Sequence, residues 1–307
     1  MSVFAELFTD YTLRNVVFGS VLLGVVSGVL GCFAVLRRQG LIGDALAHAA
    51  LPGICIAYLL TGTRAPLVLM LGAAVGGWIG MWAVLRLVQH TRIREDAALG
   101  IVLSAFFGFG ILLLTFISRR NDANQAGLDR YLFGQAATLT AGDVEAMAAL
   151  SAIALALVAV CFKELKMLAF DSEFAASLGF NTQAINLLLT ALTVVAVVIG
   201  LRMVGVVLMA AMLIAPAVAA RQCTDRLNVM CMLAALFGAL AGVSGALISV
   251  AESRLPTGPM VILSATAIAA LSVLFAPARG LAWEWVRLAR HRARLRRGLA
   301  ADTGQAR

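Results

Sequence analysis

Long apolar stretches separated by short polar segments run along almost the whole chain. An α-helix needs about 20 residues to cross roughly 30 Å of hydrocarbon, and each stretch comes close to that length. The pattern predicts nine spans, at about 14–36, 42–60, 66–88, 96–117, 143–162, 184–200, 204–220, 229–250 and 260–277. We therefore expect an all-α, polytopic membrane protein with eight to nine transmembrane helices.

The composition excludes an ordinary soluble domain. The 307 residues are 62% hydrophobic and 13% charged, with a mean hydropathy of +0.95, whereas soluble domains are roughly 45–50% apolar and about 25% charged. A net charge of +8 could indicate nucleic-acid binding in a soluble protein, but here the cations lie in short loops and in the tail, residues 281–307. We therefore expect no nucleic-acid partner. The five cysteines show no CxxC spacing, which supports neither a disulfide framework nor a zinc finger.

The distribution of lysine and arginine predicts the orientation in the membrane. An external N-terminus places 17 of the 24 basic residues on the cytoplasmic side, in agreement with the positive-inside rule. Residues 163–182 are then cytoplasmic, and residues 118–142 form the longest external loop. The tail is also cytoplasmic; it carries Trp283 and Trp285 before an arginine-rich stretch, so we expect it to lie against anionic membrane lipid.

One predicted span contains an ionisable pair. In the stretch GLIGDALAHAALPG, Asp44 and His48 are four residues apart, which on a helix places both side chains on one face. At 1.5 Å per residue they lie roughly 9–15 Å beyond Arg38, near the middle of the bilayer. A charge at that depth costs at least ~2.5–3.5 kcal/mol, so the pair indicates function. The alternative is a helix–helix hydrogen bond that only holds the bundle together.

A divalent metal ion suits this pair. Manganese(II), iron(II) and zinc(II) all accept a carboxylate oxygen and a neutral imidazole nitrogen as ligands. One Asp and one His make an incomplete site, whereas two copies across a two-fold interface would supply four ligands. Pro52 and Gly53 follow the pair, and because proline removes a backbone hydrogen bond, we expect a helix break beside the site.

Four stretches, in order, resemble the permease subunits of ATP-binding cassette importers for manganese, zinc and iron. They are LRRQGLIGDALAHAALPG at 36–53, FKELKMLAFDSEFAASLGF at 162–180, VGVVLMAAMLIAPAVAARQCTDRL at 204–227 and LPTGPMVIL at 255–263. The resemblance covers about residues 15–277 and leaves out the basic tail. It implies a transmembrane permease domain over residues 1–280, a dimeric assembly in the bacterial cytoplasmic (inner) membrane, and transport rather than catalysis.

The resemblance also assigns roles to residues. It implies that Asp44 and His48 coordinate the transported metal at the interface of two permeases, and the form GDALAHAALPG is closer to the manganese/iron branch than to the zinc branch. It implies that residues 163–182 form a coupling segment that docks on the ATPase, with a core of Phe170, Asp171, Glu173, Ala175, Leu178 and Gly179. The segment itself is amphipathic and ends at a glycine, which suits docking in a groove of a soluble partner.

What the sequence lacks defines the expected partners. No G-x-x-x-x-G-K-[ST] motif occurs, so we expect ATP hydrolysis on a separate cytoplasmic chain. No residue set indicates a catalytic site, and we expect no resident cofactor besides the transported ion. The other expected partners are a second permease copy or a paralogue, an extracytoplasmic metal-binding protein and membrane lipid. Loop 118–142 is either the landing surface for that binding protein or an unspecialised loop.

Two other functions remain open. Asp44 and His48 could serve a stand-alone secondary metal transporter coupled to protons, or they could be a structural pair in a membrane scaffold. Neither alternative needs a docking segment at 163–182, and no internal repeat supports an inverted-repeat secondary transporter. The leading hypothesis is therefore the permease of an ATP-driven importer for manganese, with zinc or iron as alternative cargo.

Overall fold

The computed structural model describes residues 11–63, 65–119, 134, 136, 139–251, 255–276 and 280. The helices in this part of the chain are α1 (Tyr11–Leu36), α2 (Ile42–Thr61), α3 (Pro66–His90), α4 (Glu95–Ser118), α5 (Ala141–Val160), α6 (Phe162–Phe170), α7 (Ser172–Ser177), α8 (Thr182–Met203), α9 (Val206–Cys223), α10 (Leu227–Ala251) and α11 (Thr257–Phe275). Nine of these, all except α6 and α7, are long and apolar enough to cross a membrane. The predicted all-α class and the nine predicted spans are confirmed. Most of loop 118–142 and the tail 281–307, with Trp283 and Trp285, lie outside the described residues.

Small residues let α1 and α10 pack with their backbones in contact. A Cβ atom added to Gly24 would lie 2.2 Å from the carbonyl oxygen of Gly238, and one added to Gly28 would lie 2.4 Å from that of Ala234. A Cβ atom on Gly242 would lie 2.6 Å from the carbonyl oxygen of Ser20. These positions repeat every four residues along both helices, the small-xxx-small pattern of close helix contacts in membranes.

A second seam of small residues joins α2 to α3. A Cβ atom on Gly53 would lie 2.1 Å from the carbonyl oxygen of Gly72, and one on Gly76 would lie 2.6 Å from that of Ala49. The two contacts lie on either side of Pro52, which is a residue inside α2 and not at its end. The predicted helix break at Pro52 and Gly53 is therefore not observed: Gly53 serves close packing, and the backbone contacts with α3 hold α2 in one helix.

The end of the bundle away from α6 and α7 holds a buried ion pair. Thr140 caps α5 in a reciprocal capping box with Asp143, and Arg202 donates to the same carboxylate. Arg202 belongs to the last turn of α8, so the pair joins α5 to α8. The turn itself is only Val204 and Gly205, and Gly205 has a φ of +83°, a backbone conformation that glycine adopts without strain.

Candidate metal site

A tight turn, residues 37–41, brings the candidate ligands back into the bundle. The amide of Gln39 donates to the carbonyl of Ala34 at 2.9 Å, and the amide of Arg38 donates to that of Val35 at 3.1 Å. Arg38 is in the left-handed region with a φ of +59°, which reverses the chain within a few residues. Helix α2 therefore begins at Ile42, and Asp44 lies in its first turn.

Asp44 and His48 are in direct contact on one face of α2, as their spacing predicts. The Nε2 atom of His48 lies 3.2 Å from the Oδ1 atom of Asp44. The exposed fraction is 11% for the His48 side chain and 29% for that of Asp44, so the carboxylate has the freer access. The pair thus presents one oxygen and one nitrogen ligand from a single helical turn.

Phe107 of α4 completes the surroundings of His48. The two rings meet edge to face, with centroids 4.6 Å apart and an interplanar angle of 74°. Phe107 is at the middle of α4, which runs from Glu95 to Ser118, so the imidazole lies at mid-span depth. The buried Nδ1 atom of His48 has no hydrogen-bond partner within the described residues. A buried imidazole nitrogen without a partner is costly unless it serves a ligand or water.

Proline 52 changes the backbone at the same place. A helical carbonyl normally accepts from the amide four residues later, but Pro52 has no N–H, so the carbonyl oxygen of His48 lacks this donor. The freed oxygen belongs to the same residue as the imidazole but points toward the C-terminal end of α2, away from Asp44, and the helix is not broken. The sequence pointed to Pro52 for this site, but its effect is to remove one hydrogen bond.

A single chain provides only a partial coordination shell. Among the described residues, no group of three or more His, Cys, Asp and Glu side chains is close enough to hold a metal ion. Cys55, also on α2, is buried, and its thiol lies 4.0 Å from the carbonyl oxygen of Gly110. A complete site therefore needs backbone oxygens, water or a second subunit.

The segment predicted to couple to an ATPase forms the two short helices α6 and α7. Asp171 separates them and caps α7, because its Oδ1 atom accepts from the amide of Phe174 at 2.9 Å. Gly179, at a φ of +85°, ends the segment. The amide of Gly179 donates to Ala176 and that of Phe180 donates to Ala175, which is a Schellman motif. The predicted glycine-terminated helix is thus observed, with an additional break at Asp171.

The residues of this segment divide into a buried face and an exposed face. Ala175 is fully buried, so it anchors the segment and is not available for contact with a partner. Phe170, Phe174 and Leu178 are exposed by 57%, 55% and 54% and recur every four residues. The sequence interpretation did not include Phe174, although its spacing from Phe170 and Leu178 carries the signal. Glu173 is also exposed, so the outer face is apolar with a charged rim.

Comparison with known proteins supports one family. The chain matches the family described as "ABC 3 transport family" over residues 9–276. The zinc transport system membrane protein TroC of Treponema pallidum is 50% identical over 284 residues, which cover 92% of this chain and 95% of TroC. The manganese transport system membrane protein MntC of Bacillus subtilis is 49% identical over 282 residues, which cover 92% of this chain and 65% of MntC.

A solved structure agrees with the sequence relatives. PsaBC from Streptococcus pneumoniae in complex with Fab superposes with a TM-score of 0.80 at 29% identity, over 90% of this chain and 96% of the matched chain. The match therefore includes most of the chain. The chain belongs to the ABC 3 transport family.

Proposed function

We propose that this chain is the transmembrane permease of an ATP-driven divalent-metal importer in a bacterial cytoplasmic membrane. The observation that carries the proposal is the contact between the Nε2 atom of His48 and the carboxylate of Asp44, inside a helix bundle and with the His48 ring against Phe107 of α4. The relatives named above belong to zinc and manganese transport systems, which supports metal as the cargo. They give no support to the stand-alone, proton-coupled alternative.

The pair binds its ion by exchanging a hydrogen bond for metal bonds. Metal–ligand bonds to carboxylate oxygen and imidazole nitrogen are about 2.0–2.2 Å long. An ion bound to Oδ1 of Asp44 and Nε2 of His48 would take the place of their hydrogen bond, and the imidazole proton would move to Nδ1 or to water. Two permeases related by a two-fold axis would supply two oxygens and two nitrogens. An extracytoplasmic metal-binding protein would deliver the ion, and a separate ATPase would drive its release.

Manganese is the cargo that this ligand set favours for transport. Zinc exceeds manganese in affinity for nitrogen and oxygen ligands, so a site with only these four ligands would hold zinc firmly. Manganese accepts additional oxygen ligands, which water or a second permease copy would supply. We therefore propose that the importer carries manganese and that zinc occupies the site and blocks it.

Competition between the two metals tests the proposal. In liposomes holding the complete complex, we expect ATP-dependent uptake of labelled manganese that falls as zinc is added, with labelled zinc carried much more slowly. The reason is the higher affinity of zinc for the shared ligands. If zinc is carried at an equal or faster rate, the protein is a zinc importer; if neither metal enters with ATP, the importer proposal is wrong.

Residues 163–182 are proposed to lie in the cytoplasm as the docking surface for the ATPase. Phe170 at the end of α6, Phe174 in α7 and Leu178 just after α7 are exposed apolar side chains, which suit contact with a groove of a soluble partner. The excess of basic residues supports an external N-terminus and a cytoplasmic C-terminus, which puts these side chains inside.

Cysteine labelling tests this orientation. In a cysteine-free background, a cysteine at Ser172 should react with a membrane-impermeant reagent only after the cells are opened. A cysteine at Thr63, exposed in the connection between α2 and α3, should react in intact cells and is the matched control. Labelling of the Ser172 position from outside would overturn both the orientation and the docking role.

A further inference from the structure

A series of polar contacts joins residues 163–182, the proposed docking segment, to α2, the helix that carries Asp44 and His48. We propose that Arg37, through its hydrogen bond to Asn186, is the positioning residue that transmits movement of α6 and α7 to Asp44 and His48. This inference rests on the proposed function, because it concerns how ATP hydrolysis reaches the metal site.

The first step links the docking segment to α8. The Schellman motif at Gly179 is followed by Asn181, which caps α8 by accepting from the amide of Ala184 at 3.0 Å. No flexible linker separates α7 from α8, since only residues 178–181 lie between them. Asn186 lies in the first turns of α8, so a displacement of α7 displaces its side chain.

The second step crosses from α8 to the α1–α2 turn. Arg37 donates from Nη1 to the Oδ1 atom of Asn186 at 2.6 Å, and both side chains are partly buried. Burial lowers the pKa of Arg37 from its usual value, and the nearby Glu95 carboxylate opposes this shift. A charged donor in such a partly dry environment makes a stronger bond than one in water.

The third step runs from the turn to the ligands. The turn has little freedom, because residues 38 and 39 are bonded back to α1 and the amide of Ile42 donates to the carbonyl of Gln39 at 3.1 Å. Asp44 follows two residues after Ile42, so a shift of Arg37 is passed to α2 with few intervening bonds.

The same turn also holds α4, which contacts the other ligand. Buried Gln39 donates from Nε2 to the carboxylate of Glu95, the first residue of α4. Helix α4 carries Phe107, the ring that meets His48. Residues 37–41 are therefore joined to α2 and α4, the two helices that line the candidate metal site. A second contact supports the route, since Phe162 of α6 packs edge to face on Phe33 of α1 at 6.2 Å.

Neighbouring residues provide matched variants for the test. Arg37→Gln removes the charged donor, and Asn186→Leu removes the acceptor. Asn186→Asp keeps an acceptor and should restore the contact as a charged pair. Arg38 is exposed and adjacent, so Arg38→Gln loses the same charge at the same depth without losing this bond. Each variant is compared with the unmodified chain in the complete complex, reconstituted in liposomes.

The measured quantity is the number of metal ions carried per ATP hydrolysed. We expect Arg37→Gln and Asn186→Leu to lower this ratio by about tenfold, while ATP hydrolysis changes by less than about twofold. Asn186→Asp should carry at least about half as many ions per ATP as the unmodified chain, and Arg38→Gln should carry as many as the unmodified chain. The double variant Arg37→Gln/Asn186→Leu should be no worse than either single one, because both remove the same contact.

The outcomes separate this inference from the proposed function. A fall of uptake and hydrolysis in proportion would mean a purely structural role and would overturn the inference. So would equal behaviour of the Asp and Leu variants at position 186, or a loss of coupling in Arg38→Gln. If the unmodified complex carries no metal with ATP, the proposed importer function is wrong, and the inference that rests on it is wrong as well.

Discussion

Asp44→Ala and His48→Ala should each abolish metal uptake while the protein remains folded in the membrane. In the proposed site, each substitution removes one of the two side-chain ligands that a subunit offers among the described residues. Loss of a residue that merely supports a metal ligand typically costs 10–100-fold in affinity or activity, so loss of the ligand itself should cost at least about 100-fold. The hydrogen bond that disappears with either side chain contributes only about 0.5–1.5 kcal/mol to stability.

Uptake of labelled manganese by the reconstituted complex measures this effect, and elution as a single species in detergent verifies folding. His90→Ala and Asp96→Ala are the matched controls, since both residues are exposed at the ends of α3 and α4. They should transport at the rate of the unmodified chain. Uptake at that rate in the Asp44 or His48 variant would show that the pair is structural.

Gly24→Ala should strongly destabilise the bundle, although alanine is the better helix former. The added methyl group would lie 2.2 Å from the carbonyl oxygen of Gly238 and 2.8 Å from the amide nitrogen of Ala239. Both atoms belong to backbone, so no side chain can rotate away and the helices must separate. Overpacking of this kind costs typically 1–3 kcal/mol, and more where the obstacle cannot move.

Thermal unfolding of the purified protein measures the loss, and Gly100→Ala is the matched control. Gly100 is also a glycine within a spanning helix, α4, but a methyl group there meets no atom within 4 Å. That variant should be unchanged or more stable by up to about 1 kcal/mol, because glycine is the poorer helix former. Equal melting temperatures for the two variants would mean that α1 and α10 are not packed through Gly24.

Local patterns in the sequence predicted the features that depend on residues close together in the chain. The apolar runs predicted the nine spans, and the i,i+4 spacing predicted that Asp44 lies beside His48. Gly179 marked the end of the segment that contains α6 and α7. Each of these follows from helix geometry or from the backbone freedom of glycine within a few residues.

Features that depend on distant residues were missed. Nothing near His48 in the sequence indicates that Phe107 is its neighbour, or that Arg37 meets Asn186. The expected break at Pro52 was wrong because the cost of a proline in a helix is a local preference, which packing against Gly72 and Gly76 of α3 overrides. The ion pair between Arg202 and Asp143 likewise depends on a contact between α5 and α8, which are distant in the sequence.

The two glycine seams also differ in when they form as the chain is synthesised. Helices α2 and α3 are consecutive, so their seam closes as soon as both are inserted. Helix α10 begins about 190 residues after α1 ends, which corresponds to roughly 10–40 s of synthesis at 5–20 residues per second. Throughout that interval the glycine face of α1 lies against lipid or a temporary protein neighbour. The seam between α1 and α10 therefore stays open for most of the synthesis, and a chain arrested before residue 227 leaves α1 without this partner.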